Sequence, residues 1–226
     1  MDHLFVYPLQ QIPLVVLAIA AALSLHEFAH AYVAYKFGDP TAKQQGRLTL
    51  SPLAHLDIVG TIAIFLLGFG WARPVPVNPY FFKRPRLAGI LVSVAGPLSN
   101  LFLGIVGYIL WYALISTGAL HMLPDAIGKT LYEFFQIFIG LNLVLFVFNL
   151  LPLPPLDGYR ILEDLMPMNV RAKMTQFENY GAIIFLVLVI TPLDQYTIGP
   201  IFSVVIPYVS GAIESIIAPL FGLYVS

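Results

Sequence analysis

The apolar run from Pro13 to Tyr35 carries no charged side chain outside the cluster His26-Glu27-Phe28-Ala29-His30. A helix needs about 20 such residues to cross the hydrocarbon core of a bilayer. There every backbone polar group must be satisfied within the helix itself, so the run is predicted to be a transmembrane helix. Histidines four apart lie on one face of it, close enough to share a metal ion. Glu27 sits beside them, where a carboxylate can take a proton from a water that the metal activates. A histidine pair satisfied by core side chains is the plainer reading. It fits poorly in hydrocarbon, where an ionisable triplet is costly and points to function.

Composition leads independently to the membrane. The chain is 59% hydrophobic and 10% charged, against roughly 25% charged in soluble domains. Its 226 residues suit one integral-membrane domain, with a core at 13–165 and C-terminal helices at 179–224. The net charge of −1 offers no footprint for nucleic acid. With no cysteine, thiolate metal ligands, disulfides and a cysteine nucleophile are excluded. Ala18-Ile19-Ala20 resembles a signal-peptide cleavage site, but Met1-Asp2-His3 provides no basic leader. Cleavage there would also cut just ahead of the histidine cluster, so the segment is expected to stay.

Further apolar segments lie near 9–36, 88–116, 131–152, 179–193 and 198–224, with a shorter one at 57–71. They predict an all-α polytopic membrane protein of about five transmembrane helices. The segment 179–193 is short and would need a thinned bilayer or a partner. The segment 57–71 falls short of a span and contains Gly60, Gly68 and Gly70, so it is expected to dip in and return. Charge supports that topology. A re-entrant 57–71 puts ten of the eleven lysines and arginines on one side, leaving Lys129 opposite; a spanning one splits them four against seven. The positive-inside rule then predicts a multi-pass protein of the cell membrane with its amino terminus outside and its carboxyl terminus cytoplasmic.

Two connections have character. Gly46-Arg47-Leu48-Thr49-Leu50 alternates like a strand. In Arg73-Pro74-Val75-Pro76-Val77-Asn78 the prolines strip donors from one edge, while Val75 and Val77 keep theirs on the other. Together they predict a short membrane-associated β-hairpin-like region; a plain proline-rich connector reads equally well.

A catalytic metal wants three protein ligands and an open position. Glu133, Glu163, Asp164, Glu178, Asp194 and Glu214 are available, but Asp157 stands out. It follows Pro152, Pro154 and Pro155, which must break the preceding helix, and unwound backbone at membrane depth marks a buried or watery site. Asp157-Gly158 equally suits a helix cap, and on these residues alone both roles stand.

Three motifs in order now carry a resemblance: HEFAH, then Ala95-Gly96-Pro97-Leu98-Ser99-Asn100 in a later apolar segment, then NLLPLPPLDG from Asn149 to Gly158. The chain resembles the site-2 protease family of intramembrane metalloproteases, in its short form without PDZ or CBS domains, over about residues 15–165. The resemblance implies zinc, one ion per chain, held by His26, His30 and Asp157, with Glu27 as catalytic glutamate and Asn149 near the active site. It also implies cleavage of transmembrane segments of other proteins, met within the lipid.

Asn142 and Asn149, seven apart on one helical run, could each steady a developing oxyanion or serve as an interhelical hydrogen bond. Gly96, Ser99 and Asn100 suit close helix packing. His55 is an accessory candidate or an interfacial histidine, and His3 and His121 are expected to be solvated. Trp71 and Trp111 fit interfacial belts, and Lys83-Arg84-Pro85-Arg86 a cytoplasmic basic anchor. A divalent-metal transporter would spread its ligands along a path and often show inverted repeats, which this chain lacks. A non-catalytic scaffold binding membrane proteins has no need of the intact HExxH.

Overall fold

The computed structural model describes residues 7–67 and 70–223. Helix α1 (Ile12–Lys36) buries one stripe, in which Ala18, Ala22, His26, His30 and Ala34 follow one another at the i, i+4 spacing of a helix face. Small residues above and below the histidines let neighbouring helices come close. The opposite face stays apolar and exposed, with Leu17 60% accessible, as lipid requires. After two short helices, α2 (Thr41–Gln44) and α3 (Pro52–His55), comes α4 (Ile58–Leu67). At about 1.5 Å per residue, its ten residues reach only about half the hydrocarbon thickness.

The chain doubles back beyond α4. A Cβ at Gly60 would lie 2.1 Å from the carbonyl oxygen of Trp71, and one at Gly70 would lie 1.9 Å from that of Gly60. Leu56 and Ala72 form an antiparallel bridge at the base of this loop, and Arg73 N–H donates to the His55 carbonyl at 2.7 Å. The departure and return of 57–71 therefore lie side by side; Gly68, part of that expectation, falls outside the described residues.

Long helices build the rest. Helix α5 (Pro85–Ser116) packs on α1 and on α6 (Asp125–Asn149). Its buried face is small and polar, with Ser93, Gly96, Pro97, Asn100, Gly104 and Gly107, the residue types that let membrane helices approach. Gly107 faces Ile139 and Gly104 faces Leu143, each leaving little or no room for a methyl group. Helix α7 (Asp157–Leu165) rests on α5, followed by α8 (Met168–Ile190) and α9 (Ile198–Ile217), which packs on α5 and α6.

Among the described residues, four helical segments combine the length and hydropathy of a span: Leu9–Lys36, Pro85–Ser116, Asp125–Asn149 and Ile198–Phe221. The apolar stretch near 179–193 belongs to a longer helix, α8, whose first half carries Arg171, Lys173 and Glu178. There is no β-strand among the described residues. Gly46 turns the chain at φ +68°, Arg47 N–H closes on the Ala42 carbonyl at 2.8 Å and the chain bends again at 48–49, so 46–50 forms no strand. The segment 73–78 is extended as expected, but its backbone is engaged by side chains rather than by a second strand.

Candidate metal centre

His26 and His30 reach inward from the second half of α1, and Asp157 meets them from the first residue of α7. That meeting depends on the broken helix: α6 ends at Asn149, and the proline-rich stretch behind it turns the chain into α7. Gly158 makes the turn possible. A Cβ there would lie 2.3 Å from the Leu150 carbonyl oxygen and 2.5 Å from that of Leu151.

The three donor atoms converge. His26 Nε2 and His30 Nε2 are 3.0 Å apart, and Asp157 Oδ2 lies 3.3 Å and 3.2 Å from them. Ligands at about 2.0 Å around a tetrahedral ion stand roughly 3.3 Å from one another. The proton positions strengthen the fit. His30 Nδ1 lies 2.7 Å from the Val92 carbonyl, which can only accept, so the hydrogen is on Nδ1. For His26 a relay fixes the answer. Asn142 donates to the Phe138 carbonyl at 2.8 Å, and its oxygen accepts from Asn100 at 3.1 Å. That arrangement turns the Asn100 oxygen to His26 Nδ1 at 2.7 Å. Both histidines thus aim an Nε2 lone pair at the point where Asp157 Oδ2, buried and without a hydrogen-bond donor, aims its own. Three lone pairs facing one another repel unless a cation lies between them, and two imidazoles with one carboxylate suit zinc.

Glu27 is buried beside this cluster, and its Oε2 accepts a hydrogen bond from Val75 N–H at 2.9 Å. Asn149 is not drawn into the ligand cluster; its amide donates to the Leu145 carbonyl of its own helix at 2.9 Å. Asn142 is fully buried in the relay, an interhelical hydrogen bond. His55 is fully buried too, with Nε2–H donating to the Thr49 carbonyl at 2.7 Å.

Sequence reasoning gave Asn100 and Gly96 to helix packing, and both do more. Asn100 orients His26, and the signal available was an amide deep in an apolar helix, where such a group must find a partner. Gly96 faces the imidazoles directly: a Cβ there would lie 2.3 Å from His30 Nε2 and 2.6 Å from His26 Cε1.

Donors of this kind in an apolar helix bundle define a metal-dependent hydrolase of the membrane. Comparison with known families narrows the class: residues 14–192 match Peptidase family M50, and the chain belongs to that family, the site-2 proteases, as a zinc metalloprotease. It is 59% identical over 203 residues to "Putative zinc metalloprotease YwhC" of Bacillus subtilis, covering 90% of this chain and 92% of the relative. A relative of the same printed description, Rip2 of Mycobacterium tuberculosis, is 31% identical over 207 residues, covering 87% and 76%. MJ0611 of Methanocaldococcus jannaschii, likewise so described, is 31% identical over 148 residues, covering 65% and 68%. No solved structure matches the chain.

Proposed function

We propose that this protein is an intramembrane endopeptidase that hydrolyses transmembrane segments of other membrane proteins, with one zinc ion held by His26, His30 and Asp157. The observation that carries the reading is the convergence of three lone-pair donors beside a buried glutamate within apolar helices. Bound zinc supplies Lewis acidity and brings the pKa of a water down to about 7. Glu27 then acts as general base, taking the proton of the attacking water and returning it to the leaving amine nitrogen. Asn149 donates to the developing oxyanion. It suits that role better than Asn142, which is fully buried in the relay with Asn100, whereas Asn149 is only partly buried.

The substrate reaches the centre through the lipid-facing side. A largely apolar cavity of about 340 Å³ lies between α1, α4, α6 and α9, lined by residues that include Ile19, Leu23, Ile64, Leu145 and Phe202. Leu23 is one helical turn from Glu27, so a substrate's apolar side chains seated there lead its backbone toward the site. A peptide bond locked in a helix is shielded, and the extended segment 73–78 holds the unwound stretch by strand addition at Val77. Helix α8, 23 residues long, serves as the fifth crossing, with its charged half on the cytoplasmic side together with the metal centre.

The test is cleavage of a reconstituted single-span substrate by the purified protein. Cleavage stopped by a chelator and restored by zinc is expected; chelator-insensitive cleavage, or none, overturns the reading.

A further inference from the structure

The extended segment Arg73–Asn78 is anchored along its length. At its start, Arg73 N–H donates to the His55 carbonyl. At its end, Asn78 N–H donates to Oδ2 of the fully buried Asp39 at 2.6 Å, whose other oxygen is tied to Thr41. Between them the buried guanidinium of Arg47 donates through Nη2 to the carbonyls of Arg73 and Pro74. The next N–H along the chain is that of Val75, and it points at Glu27 Oε2. With prolines on both sides of it, no neighbouring N–H can take its place.

Arg47 is costly where it stands. Its Nε is buried with no hydrogen-bond partner, and an arginine is rarely placed so without a task. Burial, and then the Arg73 cation, lower its pKa from the ordinary value, while the Glu27 carboxylate acts the other way, so the two charges feel each other.

We propose that Arg47 is a positioning residue for the general base: by holding the Arg73 and Pro74 carbonyls it fixes Val75 N–H against Glu27 and so sets the orientation of the carboxylate. The inference rests on the reading of Glu27 as base. A catalytic group misplaced by about 1 Å can cost on the order of 100-fold in rate.

The test uses the full chain in lipid and a single-span substrate, with kcat, KM and zinc content measured for Arg47→Met, Arg47→Lys, Val75→Pro and the Arg47→Met/Val75→Pro double variant. In Arg47→Met, kcat should fall on the order of 100-fold while KM stays within about twofold and zinc stays bound. Arg47→Lys, still able to donate to the same carbonyls, should recover much of the loss. The double variant should be little worse than the more severe single one, because both act through one hydrogen bond. Near-normal kcat in Arg47→Met overturns the proposal. So does a loss carried by KM, a loss that tracks zinc or folded protein, no recovery in Arg47→Lys, or additive effects in the double variant. An unaltered protein with no chelator-sensitive cleavage overturns the peptidase reading itself, which separates the two failures.

Discussion

At the scale of single residues, the proposed mechanism divides the centre into donors, a base and the groups that aim them, and each division predicts a different loss. Glu27→Gln should abolish cleavage while the protein still binds zinc, because glutamine cannot take the proton and Glu27 is not one of the three converging donors. Asp157→Ala should weaken zinc itself. A metal titration alongside the cleavage assay checks both, and an emptied site in Glu27→Gln with a filled one in Asp157→Ala would reverse the roles. Asn100→Leu keeps the volume but strips His26 of its orienting acceptor, so zinc affinity should fall about 10- to 100-fold. Gly96→Ala puts a methyl group onto both rings. His30 is tied to Val92 on the same helix that carries Gly96, so the ring cannot retreat without losing its hydrogen bond. Zinc stoichiometry should drop in this variant while helical circular dichroism stays normal.

At the scale of elements, the broken end of α6 and the extended segment 73–78 do the positioning. The start of α7 lies so close to Leu150 and Leu151 that Gly158→Ala must move backbone against backbone. Asp157 would move with it, and zinc affinity should fall although Gly158 is no ligand; unchanged affinity would mean that α7 can shift without its carboxylate. In the extended segment, Val75 N–H is engaged by Glu27, so Val77 is the cleaner probe of strand addition. Val77→Pro should slow cleavage more than it lowers the melting temperature, and equal loss of both would leave strand addition without support.

At the scale of the whole molecule, one prediction concerns which side of the bilayer each connection occupies. His30 and Asp157 must share a depth, since their donor atoms are 3.2 Å apart. A full crossing at 57–71 would have placed the end of α1 and the start of α7 on opposite faces, roughly 30 Å apart. The chain has no cysteine of its own, so single cysteines at Lys43, Lys83 and Thr117 report cleanly to an impermeant reagent. Positions 43 and 83 should label from the cytoplasmic side and 117 from the other; labelling of 43 and 83 from opposite sides would sink the topology.

Periodicity and hydropathy are local properties, and they were enough to place the long helices α1, α5, α6 and α9, the His26/His30 face and the arrest of α4 short of a span. The choice of Asp157 among the carboxylates was only half legible from its prolines, and needed the family motif to favour it. What the tertiary structure decided are relations between segments far apart in the chain. Asn100 lies 74 residues from His26, and Val75 lies 48 from Glu27. No pattern within a helix announces such pairs, because a buried polar group demands a partner without saying which one. The same reason explains the absent strands among the described residues: alternation at 46–50 and extension at 73–78 show what a backbone can do, while the side chains of Arg47, Glu27 and Asp39, brought in by packing, took the hydrogen bonds a second strand would have used.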